Sequence, residues 1–94
     1  MFTVNTYFEG KVMSLSFQPD TERATVGVIA AGEYTFGTDS IETMTIICGH
    51  LEARLPGEEQ WQSYGPGQSF VVGAGQRFSV RTGSDTSYLC RYSS

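Results

Sequence analysis

The chain has 94 residues, with six Lys or Arg against ten Asp or Glu, a net charge of −4 and 39% hydrophobic residues. That length holds one core and excludes a second domain. So acidic a chain lacks the long-range positive field that draws proteins to nucleic acid or anionic membranes, so any anion it binds must be held by a local cluster. Size scaling gives roughly 5,300 Å² of folded surface and about 64% burial, a marginal monomer that pairing with a second copy would help.

Residues 1–5, Met1-Phe2-Thr3-Val4-Asn5, carry no basic stretch and no apolar run, so no secretory signal is expected. From there the hydrophobic period is two almost everywhere, and no segment reads as a helix. Met13, Leu15 and Phe17 alternate with Val12, Ser14 and Ser16 until Pro19-Asp20 closes the segment. Ala24, Val26, Val28 and Ala30 alternate with Arg23, Thr25, Gly27 and Ile29 up to Gly32. Tyr34 and Phe36 follow, and then a denser apolar strand over 42–48 with Met44, Ile46 and Cys48 on one face. Gly49 reads as a junction, because Leu51, Ala53 and Leu55 resume the alternation at once. Beyond the polar loop Pro56-Gly57-Glu58-Glu59-Gln60 come strands over 61–64, 69–72, 76–82 and 86–92, separated by glycine turns. Eight or nine short strands with turn signals every 8 to 12 residues predict one all-β domain over 1–94, a sandwich or small β-barrel. The longest mostly apolar run, Val26 to Ala31, is too short to span a bilayer.

Cys48 and Cys90 are too few for a disulfide scaffold and sit among apolar residues, which fits small buried hydrophobes in a reducing, cytoplasmic compartment. The lone His50 cannot by itself build a three- or four-ligand metal site, and its default is a solvated or hydrogen-bonded side chain. Positive charge is nearly all guanidinium: Lys11 stands beside Arg23, Arg54, Arg77, Arg81 and Arg91. Arginine binds phosphate or carboxylate through a planar fork. Arg91, within Ser87-Tyr88-Leu89-Cys90-Arg91-Tyr92, and Arg23, at the head of an apolar strand, are expensive placements unless paired. The plainer reading pairs each with a carboxylate such as Glu33 or Glu42. Arg77 and Arg81 alternate with Phe78 and Val80, as on an ordinary solvent face. Twelve aromatics are many for this length, most of them core, with a minority free to line a pocket for a flat ligand.

Residues 32–82 resemble cupins, small β-barrels of the jelly-roll class. Glu42, six residues, then Gly49 reproduce the second half of the first cupin motif. Gly67, five residues, Gly73 in the proline slot, Ala74 and Gly75 reproduce the frame of the second. Phe78 stands in its histidine slot, Thr82 stands in its asparagine slot, and 32–42 contain no histidine. Of the usual ligands only Glu42 remains, and one carboxylate does not hold a catalytic metal.

Most of the chain is similar to the pyrimidine/purine nucleoside phosphorylase family. The likeness lies in Asn5-Thr6-Tyr7-Phe8-Glu9-Gly10-Lys11-Val12, Arg23-Ala24-Thr25-Val26-Gly27-Val28, Gly32-Glu33-Tyr34-Thr35-Phe36 and the ending Thr86 to Tyr92. The resemblance implies a dimeric cupin that cleaves nucleosides with inorganic phosphate to free base and ribose 1-phosphate, with loose choice of base. Such a reaction sets phosphate against C1′ while the base leaves through a sugar cation-like state. Arg23 and Arg91, with Lys11, are the expected phosphate holders. Glu33 is the first choice and Glu42 the second for the ribose hydroxyls and the developing positive charge. Tyr34, Phe36, Phe78 and Tyr88 are the expected stacking platform, and Tyr7 would close it or protonate the leaving base. No cofactor or metal is expected. Strand parity sets Glu33 opposite Tyr34 and Arg91 opposite Tyr88, so both members of either pair reach one pocket only near a bulge, a strand end or a subunit boundary. The competing readings are a non-catalytic cupin that binds a small anionic or nucleotide-like ligand, and a purely structural dimer.

Overall fold

In the computed structural model, which describes residues 2–94, ten strands run in chain order. They are β1 (Thr3–Tyr7), β2 (Val12–Phe17), β3 (Ala24–Ile29), β4 (Gly32–Gly37), β5 (Ile41–Cys48), β6 (Leu51–Arg54), β7 (Gln62–Tyr64), β8 (Ser69–Val72), β9 (Arg77–Thr82) and β10 (Thr86–Ser93), with a 3-10 turn at Phe8–Gly10 after β1. The strand over 3–7 goes beyond the eight or nine read from the sequence. Its Asn5, Thr6 and Tyr7 interrupt the apolar alternation on which that reading rests.

All pairings are antiparallel, in a six-stranded sheet ordered β1-β2-β3-β10-β5-β8 and a four-stranded sheet ordered β4-β9-β6-β7. Of the expected sandwich or small β-barrel, the chain shows the two-sheet arrangement of a sandwich, with no closed barrel. Beyond β3 the chain changes sheet at every connection except β6 to β7, so the inner faces of both sheets bury a common core. That core includes Val12, Ile29, Met44, Ile46, Leu51, Ala53, Phe70 and Val80. Gly49 makes the β5–β6 crossing at φ +93°, and a Cβ there would stand 2.7 Å from Thr86 Oγ1, so glycine is required on both counts.

Alternation identified β2 and β3 as strands, but their mid-strand apolar residues face outward, while Val12, Ala24 and Ile29 at the strand ends are buried. Met13, Leu15, Val26 (41% exposed) and Val28 (51% exposed) stand in the open, while Ser14, Thr25 and Gly27 are buried. Val4, Leu15, Val26 and Leu89 are register partners across β1, β2, β3 and β10, an uncharged row on the outside of the larger sheet. The smaller sheet is the opposite, with Glu33, Arg81 and Glu52 side by side on its outer face. On β5 the register shifts at the step between Ser87 and Tyr88, which leaves Ile47 unpaired and turns Cys48 to solvent. Cys48 is thus exposed rather than a small buried hydrophobe; Cys90 is buried.

Candidate active site

Between the inner faces of the two sheets lies a cavity of about 410 Å³. One wall is aromatic. Phe36 on β4 meets Phe78 on β9 at 5.7 Å between ring centroids, and Phe8 meets Phe36 edge-on at 5.6 Å. Behind them Phe78 packs on Phe70, and Phe70 on Tyr64, which anchors the wall in the core.

The facing wall is polar and comes from the larger sheet. The period of two on β10 sends Tyr88, Cys90 and Tyr92 inward and Ser87, Leu89 and Arg91 outward. Glu42 is the register partner of Tyr92 and shares its face. Gly27 is flanked by Ser14 and Tyr88 in register, and a Cβ there would stand 2.5 Å from the Tyr88 ring. Only glycine lets that phenol lie flat across β3 with its hydroxyl towards Ser14. Asn5 fixes Ser14 through a 3.2 Å bond from Nδ2, and bonds Ser16 at 2.9 Å.

Among the lining residues Glu42 is the one carboxylate, and no Lys or Arg is present. Burial raises its pKa, while a hydrogen bond from the Cys90 thiol (Sγ to Oε1, 3.6 Å) and the charge of Arg23 oppose the rise, and Asp39 adds to it. Burial, with the Glu42 charge second, pushes Cys90 up to about 12. Tyr88 also rises to about 12, from burial first, and Tyr92 is raised by burial against a 3.2 Å contact with the Thr25 hydroxyl. At neutral pH these three groups are protonated donors. The polar wall therefore pairs one acceptor with several neutral donors, an arrangement suited to sugar hydroxyls.

Of the residues named from sequence, Tyr7, Phe36, Glu42, Phe78 and Tyr88 line the cavity. Tyr34 is buried beside it, its hydroxyl donating to Ala30 O at 2.9 Å. Lys11 is exposed on the hairpin that joins β1 to β2. Glu33 lies on the outer face of the smaller sheet as the register partner of Arg81. Arg91 faces out of the larger sheet. Arg23 lies over the Tyr92 ring, 4.2 Å from its centroid, so it reaches the cavity only by way of Tyr92. Both arginines border a small cleft with Asp20 and Glu22. Neither pairs with Glu33 or Glu42, because Arg81 to Glu52 at 2.8 Å is the one ion pair among the described residues. Arg81 and Arg54 also lie over Trp61, at 4.1 and 5.0 Å, which makes Arg81 part of a clamp rather than an idle surface charge.

Cys90, Tyr92, Ser14 and Phe8 were missed as cavity residues. The first two share the face of Tyr88 by parity, a signal present in the sequence. Ser14 gives no such signal, because a serine on a strand is ordinarily read as the solvent side. Phe8 depends on an unusual backbone. Phe8 and Glu9 have φ of 52° and 58°, followed by Gly10 at 88°. A left-handed conformation at a bulky residue costs on the order of 1–3 kcal/mol and persists only where its surroundings enforce it. Phe78, in the histidine slot of the second cupin motif, is buried in the aromatic wall, and Thr82, in the asparagine slot, donates to His50 O at 2.7 Å. His50 is exposed, and among the described residues no three His, Cys, Asp or Glu side chains converge as metal ligands.

A family profile described as pyrimidine/purine nucleoside phosphorylase matches residues 2–92. The chain belongs to the pyrimidine/purine nucleoside phosphorylase family. A curated family relative from Marinobacter nauticus, named pyrimidine/purine nucleoside phosphorylase, is 53% identical over 92 residues, covering 98% of this chain and 99% of that protein. A crystal structure of a protein of unknown function from Vibrio parahaemolyticus superposes on this family member with a TM-score of 0.95 at 40% identity, over 99% of each chain. A cupin superfamily protein from Desulfitobacterium hafniense has the same fold, with a TM-score of 0.72 at 13% identity over 96% of this chain and 81% of its own.

Proposed function

We propose that the cavity phosphorolyses purine and pyrimidine nucleosides (uridine, cytidine, thymidine, adenosine, guanosine, inosine and xanthosine) to free base and α-D-ribose 1-phosphate, without metal or other cofactor. One observation carries the reading: an aromatic wall faces a wall of neutral donors around a single carboxylate. A flat base stacks on Phe36, which buried Phe78 backs, whatever its hydrogen-bond code, which suits loose base choice. Glu42 accepts from the sugar hydroxyls and stabilises positive charge as it develops on the ring. Hydrogenphosphate attacks C1′, the C1′–N bond breaks with its electron pair leaving on the base, and the phosphate's proton ends on that base, relayed by Tyr7. Arg23, whose charge is felt at Glu42, is the better supported of the two arginines for holding phosphate. Freedom from metal is supported by the chemistry of the lining, where one carboxylate and one high-pKa thiol make a poor ligand set.

A homodimer belongs to the same reading. The exposed uncharged row Val4-Leu15-Val26-Leu89 supports it, as apolar surface that a second copy would cover. A cytoplasmic location is part of the reading too, since free phosphate and nucleosides are intracellular reactants.

The test is to incubate the EDTA-treated protein with inosine or uridine, with and without phosphate, and follow base release. Release that needs phosphate and survives chelation supports the reading. Release without phosphate makes the protein a hydrolase, and no release across the nucleoside panel favours the non-catalytic binding module.

A further inference from the structure

β1 and β2 are joined by a two-residue hairpin turn: Lys11 N–H donates to Phe8 O at 3.2 Å across Glu9 and Gly10. Glu9 (φ 58°, ψ 36°) and Gly10 (φ 88°) have the mirror-image turn geometry that matches strand twist. That geometry accounts for the left-handed backbone at Glu9 and Gly10. It does not account for Phe8, which precedes the turn and is left-handed as well, at φ 52°.

The consequence is a break in parity. Asn5 bonds the inward Ser14, so Asn5 and Tyr7 face in, while Val4 stands outside. A regular continuation would send Phe8 out with Val4. Its positive φ turns the ring back instead, and the consecutive residues Tyr7 and Phe8 both line the cavity. The Phe8 ring lies 5.0 Å from Tyr34 and meets Phe36 at 88°, yet 43% of the residue remains exposed. It therefore bridges from the larger sheet to the aromatic wall of the smaller one while keeping free surface.

We propose that Phe8, turned into the cavity by the left-handed hairpin, is a specificity-determining residue that weights the site toward purine over pyrimidine nucleosides. This rests on the nucleoside reading above. Phe36, backed by buried Phe78, offers one aromatic surface to any base. Phe8, set at a right angle to Phe36, adds a second surface that a bicyclic base reaches further than a monocyclic one, and contact with it grows with ring area.

The experiment measures binding of free hypoxanthine and free uracil by calorimetry, and kcat/KM for inosine and uridine, in wild type, Phe8→Ala and Phe8→Leu. Near-ultraviolet circular dichroism checks that each variant keeps its packing. Phe8→Ala is expected to weaken hypoxanthine about tenfold and uracil less than about threefold, with kcat/KM shifting in the same ratio. Phe8→Leu retains the apolar contact with Tyr34, so it separates loss of the ring face from loss of packing, and it is expected to lie between the two. An equal loss for both bases, or no loss, overturns the proposal. If wild type binds the bases but turns over neither nucleoside, phosphorolysis fails while the binding ratio still decides the role of Phe8. If it binds neither base and turns over neither nucleoside, both readings fall.

Discussion

The Cys90 thiol donates to Glu42 Oε1 across 3.6 Å, from the inner face of one strand to the carboxylate on its neighbour. That contact holds one oxygen of the only carboxylate lining the cavity. Groups facing Glu42 come from several elements: Cys90, Tyr88 and Tyr92 on β10, Arg23 before β3, and Asp39 before β5. The thiol bond and Arg23 favour its ionised form, and burial and Asp39 oppose it. Glu42→Gln is expected to lower kcat/KM for inosine about tenfold or more, the value of a charged hydrogen bond of about 1.5–3 kcal/mol, with the fold intact. Cys90→Ala removes a bond that holds the Glu42 pKa down, so the acid limb of the pH–rate profile moves to higher pH, and Cys90→Ser moves it back. An unmoved limb in Cys90→Ala would separate the thiol from the carboxylate's ionisation.

Alkaline stability follows from the same wall. In the unfolded chain a thiol ionises near 9.0 and a phenol near 10.0, whereas Cys90 and Tyr88 are pushed up to about 12 in the fold. Between those values the native state holds more protons than the unfolded one, so stability is intact below pH 9 and falls as pH rises. Each group steepens the fall by about 1.4 kcal/mol per pH unit. Tm measured from pH 7 to 11 is expected to drop, and to drop less in Cys90→Ser. In native protein at pH 8 iodoacetamide should label exposed Cys48 and spare Cys90.

The outer face of the larger sheet carries its own prediction. Val26 sits mid-row between Leu15 and Leu89. If this row is the proposed dimer contact, wild type sediments as a dimer and Val26→Asp as a monomer, because the new carboxylate would be desolvated there. A variant that sediments as a dimer like wild type would place the contact elsewhere, and a monomeric wild type would end the dimer reading.

Trp61 serves as a control remote from the cavity. It lies under Arg81 and Arg54, and Arg81 Nε also holds Glu52 at 2.8 Å. Trp61→Ala is expected to lower stability by about 1–2 kcal/mol, two exposed cation–π contacts of about 0.5–1 kcal/mol each. The purine-to-uridine activity ratio should stay constant, and a changed ratio would tie the clamp to the site.

How much of the site was legible from sequence divides along strand parity. Phe36 and Phe78 were readable because large aromatics on alternating strands seek an interior. The opposite facing of Glu33 and Tyr34, and of Arg91 and Tyr88, was readable too. Parity alone does not say which member faces in, so Glu33 and Arg91 stood as candidates although both lie on outer faces. Glu42 gains its standing from its register with Tyr92, a pairing between strands far apart in the chain.

Taken alone, the sequence determines the all-β character, the positions of nine strands and the turns, since these follow from local periodicity and from glycine and proline. The segments that carry the family likeness also belong to it. Tertiary structure decides which face of each strand is inside. On β2 and β3 the polar Ser14, Thr25 and Gly27 go inward because the opposing sheet and the cavity need small and hydrogen-bonding residues there, and Val26, Val28 and Leu15 are left outside. It also decides how the strands divide between the two sheets and that β1 joins an edge. The turn of Phe8 into the cavity is decided there as well, because a left-handed bulky residue is unfavourable locally and survives only against Tyr34 and Phe36 of the facing sheet.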